Sequence, residues 1–139
     1  MVNFIKADIR TAPQGYTMVS AFPANLDCGA GINKVMDEMF DITNRQEAIK
    51  EFKSGNLKRL DNLYMLIVKE TSYDAPDWNR LKTALKEFKT KCEKFGIRKI
   101  AMPLICTGKN GGFAVDDVFG LIDDIFDDAD VNILIYIRD

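Results

Sequence analysis

Arg98-Lys-Ile-Ala-Met-Pro-Leu-Ile-Cys-Thr-Gly-Lys-Asn-Gly-Gly-Phe113 is the stretch whose reading decides the fold. It opens with an apolar run of strand character, Ile100 to Ile105, interrupted by Pro103. It then breaks into a loop of small residues, Thr107-Gly-Lys-Asn-Gly-Gly112. From Val115 the apolar spacing turns helical, through Val118, Phe119, Ile122, Ile125 and Phe126. A buried strand thus delivers a glycine loop onto the start of a helix. In α/β proteins that junction commonly makes an anion site, where bare backbone N–H groups meet the positive end of a helix dipole. The rest of the chain is read as building the other wall of this site.

Working outward, 139 residues suffice for one domain with a real core, and the expectation is a single domain over 1–139. A hydrophobic share of 47% and a charged share of 29% suit an ordinary globular chain. The net charge of −2 offers duplex nucleic acid no obvious partner surface. Asp123, Asp124, Asp127, Asp128 and Asp130 crowd the C-terminal part and are read as solvated helix faces. The chain has no histidine, which excludes Ser-His-Asp and Cys-His catalysis and histidine zinc sites. Cys28, Cys92 and Cys106 form no C-x-x-C, and an odd count argues against a disulfide framework. No stretch approaches a membrane span of roughly 20 apolar residues. The first residues lack signal-peptide form, so the expectation is a reduced, cytoplasmic protein.

Along the chain, Val2 to Lys6 and Tyr16 to Ala21 read as strands, and the loop Phe22-Pro-Ala-Asn-Leu-Asp-Cys28 leads to Gly29-Ala-Gly31. Ile32, Val35, Met36, Met39 and Phe40 then mark an amphipathic helix. Thr43 or Asn44 is expected to cap a short helix through Phe52, ended at Gly55. Lys58 to Leu60 and Leu63 to Val68 read as a hairpin around Asp61-Asn62. Asp77 caps a long helix with the stripe Trp78, Leu81, Leu85, Phe88, Cys92 and Phe95, and Gly96 ends it. Asn132 to Ile137 is the last strand. The expected fold is a three-layer α/β/α domain with a mixed sheet.

The glycines before the helix at Ile32 repeat the strand–glycine loop–helix unit of the opening stretch. Either loop alone could be a structural turn or a phosphate site. Facing each other at the carboxyl ends of neighbouring strands, the two would grip a diphosphate from both sides. Neither loop fits Gly-x-x-x-x-Gly-Lys-Ser/Thr, and Lys34 stands where a Gly-x-Gly-x-x-Gly fingerprint needs its third glycine. ATP hydrolysis and dinucleotide redox chemistry therefore lose ground.

In these residues the chain resembles the macrodomains, which bind ADP-ribose, and the resemblance covers essentially its whole length. Ala7-Asp8-Ile9 looks like the family's element whose aspartate hydrogen-bonds the adenine amino group. Gly29-Ala30-Gly31-Ile32 is similar to the loop around the diphosphate and distal ribose. Met102-Pro103 through Thr107-Gly108, with Gly111-Gly112-Phe113, looks like the second phosphate loop. Within the family the pattern is nearest to the terminal ADP-ribose protein glycohydrolase branch, which includes antitoxin macrodomains acting on nucleic acid. Gly-Ala-Gly-Ile and the strand end Tyr64-Met-Leu-Ile-Val-Lys69 carry that likeness.

The resemblance implies that Lys69 attacks the anomeric carbon of the distal ribose and that an aspartate in the second loop assists. An amine nucleophile must be neutral, which partial burial or nearby positive charge favours; a lysine that merely ends a strand and reaches for water is the bland alternative. The aspartate's place is held by Asn110, which cannot act as a general base. Lys109 adds charge for phosphate. Phe22-Pro-Ala-Asn25 replaces the polar run expected upstream, and Asn25 is either a distal-ribose contact or a turn residue. Phe113 and Tyr73 are candidate walls of the nucleoside or members of the core. Cys106 is read as a small core residue before a nucleophile. The implied functions are ADP-ribose binding with hydrolysis of an acyl or nucleobase linkage, binding without turnover, or removal of the phosphate from ADP-ribose 1″-phosphate. None requires a metal or cofactor.

Overall fold

A computed structural model of the chain describes residues 1–108 and 112–138. Along it run β1 (Val2–Lys6), β2 (Thr17–Pro23), α1 (Gly31–Phe40), β3 (Lys50–Glu51), β4 (Leu57–Leu60) and β5 (Leu63–Lys69). Then follow α2 (Trp78–Phe95), β6 (Lys99–Pro103), α3 (Val115–Phe126) and β7 (Asn132–Ile137). The strands form one mixed sheet in the order β1-β7-β6-β2-β5-β4-β3. β1, β7, β6, β2 and β5 are parallel, and β4 and β3 complete the sheet antiparallel.

Residue alternation along the strands separates two cores, one on each face. On β5, Tyr64, Leu66 and Val68 pack with Leu81, Leu85 and Phe88 of α2 and with Val118 and Ile122 of α3. Leu63, Met65 and Ile67 point the other way, to Met36 of α1 and to Ile9 and Ile42. This is the expected three-layer α/β/α macrodomain fold with a central mixed sheet. β5 is apolar on both faces because both are covered. At about 1.5–3 kcal/mol for each fully buried large side chain, these two cores hold the sheet's carboxyl edge rigid for the loops above it.

Helix ends follow their sequence signals. The Asp77 carboxylate accepts from Arg80 N at 2.9 Å, and Gly96 closes α2 at φ +66° with its N–H on Cys92 O. Phe95, expected in the buried stripe, is 54% exposed and lies beneath Lys94. The helix expected from Thr43 to Phe52 does not form: a single 3-10 turn, Gln46–Ala48, leads into β3. The Thr43 hydroxyl donates to Asp37 and so caps nothing, and β3 gains a ladder with β4 at Lys50↔Arg59 and Glu51↔Lys58. A helix this short has too few internal hydrogen bonds to compete with that pairing.

Candidate functional site

After β2 the chain crosses to α1 on one face, and after the neighbouring β6 it crosses to α3 on the other. Adjacent parallel strands whose connections part in this way leave a crevice beyond their carboxyl ends. The β2–β6 register pairs Thr17↔Ile100 and Met18↔Ala101, while both strands run on to a proline, Pro23 and Pro103. A cleft of about 600 Å³ occupies this edge, between segment 27–33, the carboxyl end of β5 and the loop after β6.

Both glycine loops reach it. Gly29, Ala30, Gly31 and Ile32 line one side, Gly108 and Gly112 the other, and Lys69 is in the wall. Gly31 sits at φ +61°, a backbone region natural to glycine. α1 begins without a side-chain cap, so its first N–H groups remain available to a ligand. The second loop is closed at its base by Gly112 N donating to Gly108 O at 3.1 Å and Phe113 N donating to Cys106 O at 2.7 Å. A Cβ on Gly112 would come within 2.6 Å of both Gly108 N and Thr107 C, so only glycine fits that fold-back. The start of α3 contributes less than expected, because Asp116 and Asp117 already place negative charge in its first turn.

Lys69, the last residue of β5, is half-buried, and its Nζ donates to Ser72 O at 3.4 Å. Ala24 N donates to Lys69 O at 2.8 Å, which ties the first loop to this strand end. Burial pushes the Cys106 thiol up to about 12, against an opposing pull from the Lys69 charge, so Cys106 is a neutral thiol in the cleft wall.

The other expected site residues lie elsewhere. Asp8 and Ile9 stand at the same carboxyl edge, after β1, but do not line the cleft. Asp8 caps a 3-10 turn: its carboxylate accepts from Arg10 N and from the Arg10 guanidinium, both at 2.9 Å, and these bonds hold it below the usual carboxylate range. Ile9 is core. Asn25 spends its side-chain oxygen on Asp27 N at 3.1 Å. Pro103 is buried, Thr107 does not line the cleft, and Phe113 packs edge-on against Trp78 at 4.9 Å. Lys109, Asn110 and Gly111 lie outside the described residues.

The fold also brings in residues that sequence reasoning missed. Asp27 lines the cleft, accepting from Gly29 N at 3.0 Å and from Ser72 Oγ at 2.8 Å. Asn33, in the first turn of α1, lines it with its Oδ1 buried and unpartnered. Tyr73, by contrast, is already a candidate wall in the sequence, and it stands at the rim, 94% exposed. An aspartate two residues before a glycine is a turn signal and nothing more; the meeting with Ser72 comes from the pairing of β2 with β5.

Comparison with known proteins agrees with this architecture. No family model matches the chain. An ADP-ribose glycohydrolase, OARD1 of Bos taurus, is 26% identical across 97% of this chain and 90% of its own length. The DarG macrodomain of Mycobacterium tuberculosis superposes with a TM-score of 0.73 at 18% identity, covering 98% of this chain and 97% of its own. That of Thermus aquaticus gives 0.72 at 15% identity, covering 99% and 98%. Thermosipho africanus DarTG, solved in complex with ADP-ribose, gives 0.71 at 15% identity over 97% of this chain and 41% of its own. With two glycine loops on one cleft, this sheet order and a relative matched along nearly its whole length, the chain has the macrodomain fold and is similar to OARD1 and to the DarG macrodomains.

Proposed function

We propose that this chain binds ADP-ribose in the cleft and releases it from an acceptor joined at the anomeric carbon, with Lys69 as the nucleophile. The observation that carries this is the convergence of both glycine loops and Lys69 on one cleft at the carboxyl edge. The dimensions support it: β1 and β5 stand four strand positions apart, about 19 Å at ~4.8 Å per step. That suits an extended ligand with adenine beyond β1 and the distal sugar beyond β5. The diphosphate would lie between the N–H groups of Gly29 to Ile32 and those of the second loop, to which Thr107, Lys109, Asn110 and Gly111 belong by sequence. Asp8 would keep lone pairs for the adenine amino group, since Arg10 uses only part of its carboxylate capacity.

The chemistry balances without a cofactor. The Lys69 amine gives up a proton to solvent and attacks the anomeric carbon, a C–N bond forms, and the acceptor leaves with the electron pair of the broken bond. Water then attacks the same carbon, the C–N pair returns to Lys69, the water's surplus proton passes to that amine, and ADP-ribose is released. An acyl acceptor suits this cleft better than a nucleobase, because a carboxylate leaves as a stable anion without prior protonation. Binding without turnover is the second reading, favoured by Asn110 at the place where the resemblance implies an aspartate.

The test is release of ADP-ribose from an ADP-ribosylated glutamate protein and from ADP-ribosylated DNA. Release that Lys69→Ala abolishes while ADP-ribose still binds supports the lysine mechanism; undiminished release in that variant rejects it. No release from either substrate favours the reader, and turnover gained by Asn110→Asp would then show that the site had been reduced to binding.

A further inference from the structure

Among the described residues lining the cleft, Asp27 is the only carboxylate and Lys69 the only amine. They stand on the same side. Ser72 donates its hydroxyl to Asp27 Oδ2 at 2.8 Å and accepts Lys69 Nζ on its main-chain oxygen at 3.4 Å. Gly29 N holds the other oxygen of Asp27 at 3.0 Å, which fixes the carboxylate across the mouth between the first loop and the end of β5.

We infer that Asp27 determines what the lysine end of the cleft accepts: a sugar terminus bearing free hydroxyls and no terminal phosphate. A carboxylate only accepts hydrogen bonds, and the hydroxyls of a ribose diol donate them. A phosphomonoester at the anomeric carbon leaves the diol in place but puts between one and two negative charges and acceptor oxygens where ADP-ribose has a further hydroxyl donor. Asp27 repels it and offers it no hydrogen. Lys69 alone would attract such a group, so the carboxylate beside it sets the sign of the discrimination. The inference rests on the ADP-ribose proposal and narrows it to substrates whose distal ribose carries no phosphate.

Calorimetric titration of the full chain with ADP-ribose and with ADP-ribose 1″-phosphate tests it. The wild-type chain prefers ADP-ribose by about tenfold or more. In Asp27→Asn, and in Asp27→Ser as a second way of removing the charge, the ratio of the two affinities falls below about threefold. Asp74→Asn removes a charge of the same sign from the connection after β5, which carries Ser72, but outside the cleft wall, and leaves the ratio as it was. Equal wild-type affinity for both ligands, or a ratio unmoved by either Asp27 substitution, overturns the inference while leaving the ADP-ribose proposal standing. Binding of neither ligand overturns both.

Discussion

Gly112→Ala isolates the second loop's part in ligand binding. The new Cβ would lie 2.6 Å from Gly108 N and from Thr107 C, and real Cβ contacts are essentially never below 3.0 Å. Those neighbours are backbone atoms that cannot rotate aside, so the loop must open by several tenths of an ångström. That strains Gly112 N to Gly108 O and Phe113 N to Cys106 O, two bonds worth about 1 kcal/mol each. The fold should survive, because the loop stands above the two cores. Binding should not: N–H groups aimed at phosphate contribute about 1.5–3 kcal/mol each, and a site must hold within roughly 0.5 Å to keep them. Losing one such bond predicts an ADP-ribose affinity roughly 10- to 150-fold weaker by calorimetry, with thermal unfolding lowered by no more than about 2 kcal/mol. Gly120→Ala is the control: nothing lies within 4 Å of its Cβ position in α3, so stability holds or rises and binding is unchanged. Affinity in Gly112→Ala within about threefold of wild type would refute a phosphate-holding role for this loop.

Three further outcomes follow from the same geometry. Tyr73→Ala removes an aromatic ring left unpacked at the cleft rim, and ADP-ribose affinity should fall about three- to tenfold with no change in melting temperature; an unchanged affinity excludes a stacking role. Cys106, with its thiol pushed up to about 12 by burial, should react with iodoacetamide at pH 7.5 far more slowly than free cysteine, and faster labelling would contradict its burial. Asp8, Asp61 and Asp128 are held below the ordinary carboxylate range in the folded chain, chiefly by a backbone bond from Arg10 and by the side chains of Arg45 and Lys89 respectively. Their contribution is therefore complete above about pH 4 and is lost as pH falls through the depressed folded values. Circular dichroism should show acid unfolding begin at slightly higher pH in the single Asn variants than in wild type, a difference that 1 M salt removes.

The elements with strong local signals were legible in the sequence: the Asp77 and Gly96 caps, the hairpin at Asp61-Asn62, the doubly apolar β5 and the glycine opening of α1. Segment 43–52 misled because Thr43 and Asn44 are good cap residues, yet both bond locally to α1 and its C-cap, through Asp37 and Asp41. The glycines of the cleft could be found because backbone chemistry depends on residue type. Asp27 and Ser72 could not, since 45 residues separate them and only the parallel register of β2 on β5 joins them. Asp8 shows the converse case. Its motif reads as a ligand contact, and the structure adds a capping duty with Arg10 that no motif announces.

Titrating the wild-type chain with ADP-ribose in a calorimeter reaches the heart of the matter. Binding with a Kd of roughly 1 μM, about −8 kcal/mol, with NAD and ATP far weaker, is the expected result. No heat at millimolar ADP-ribose, or equal affinity for all three, would mean that the paired glycine loops do not form a diphosphate site.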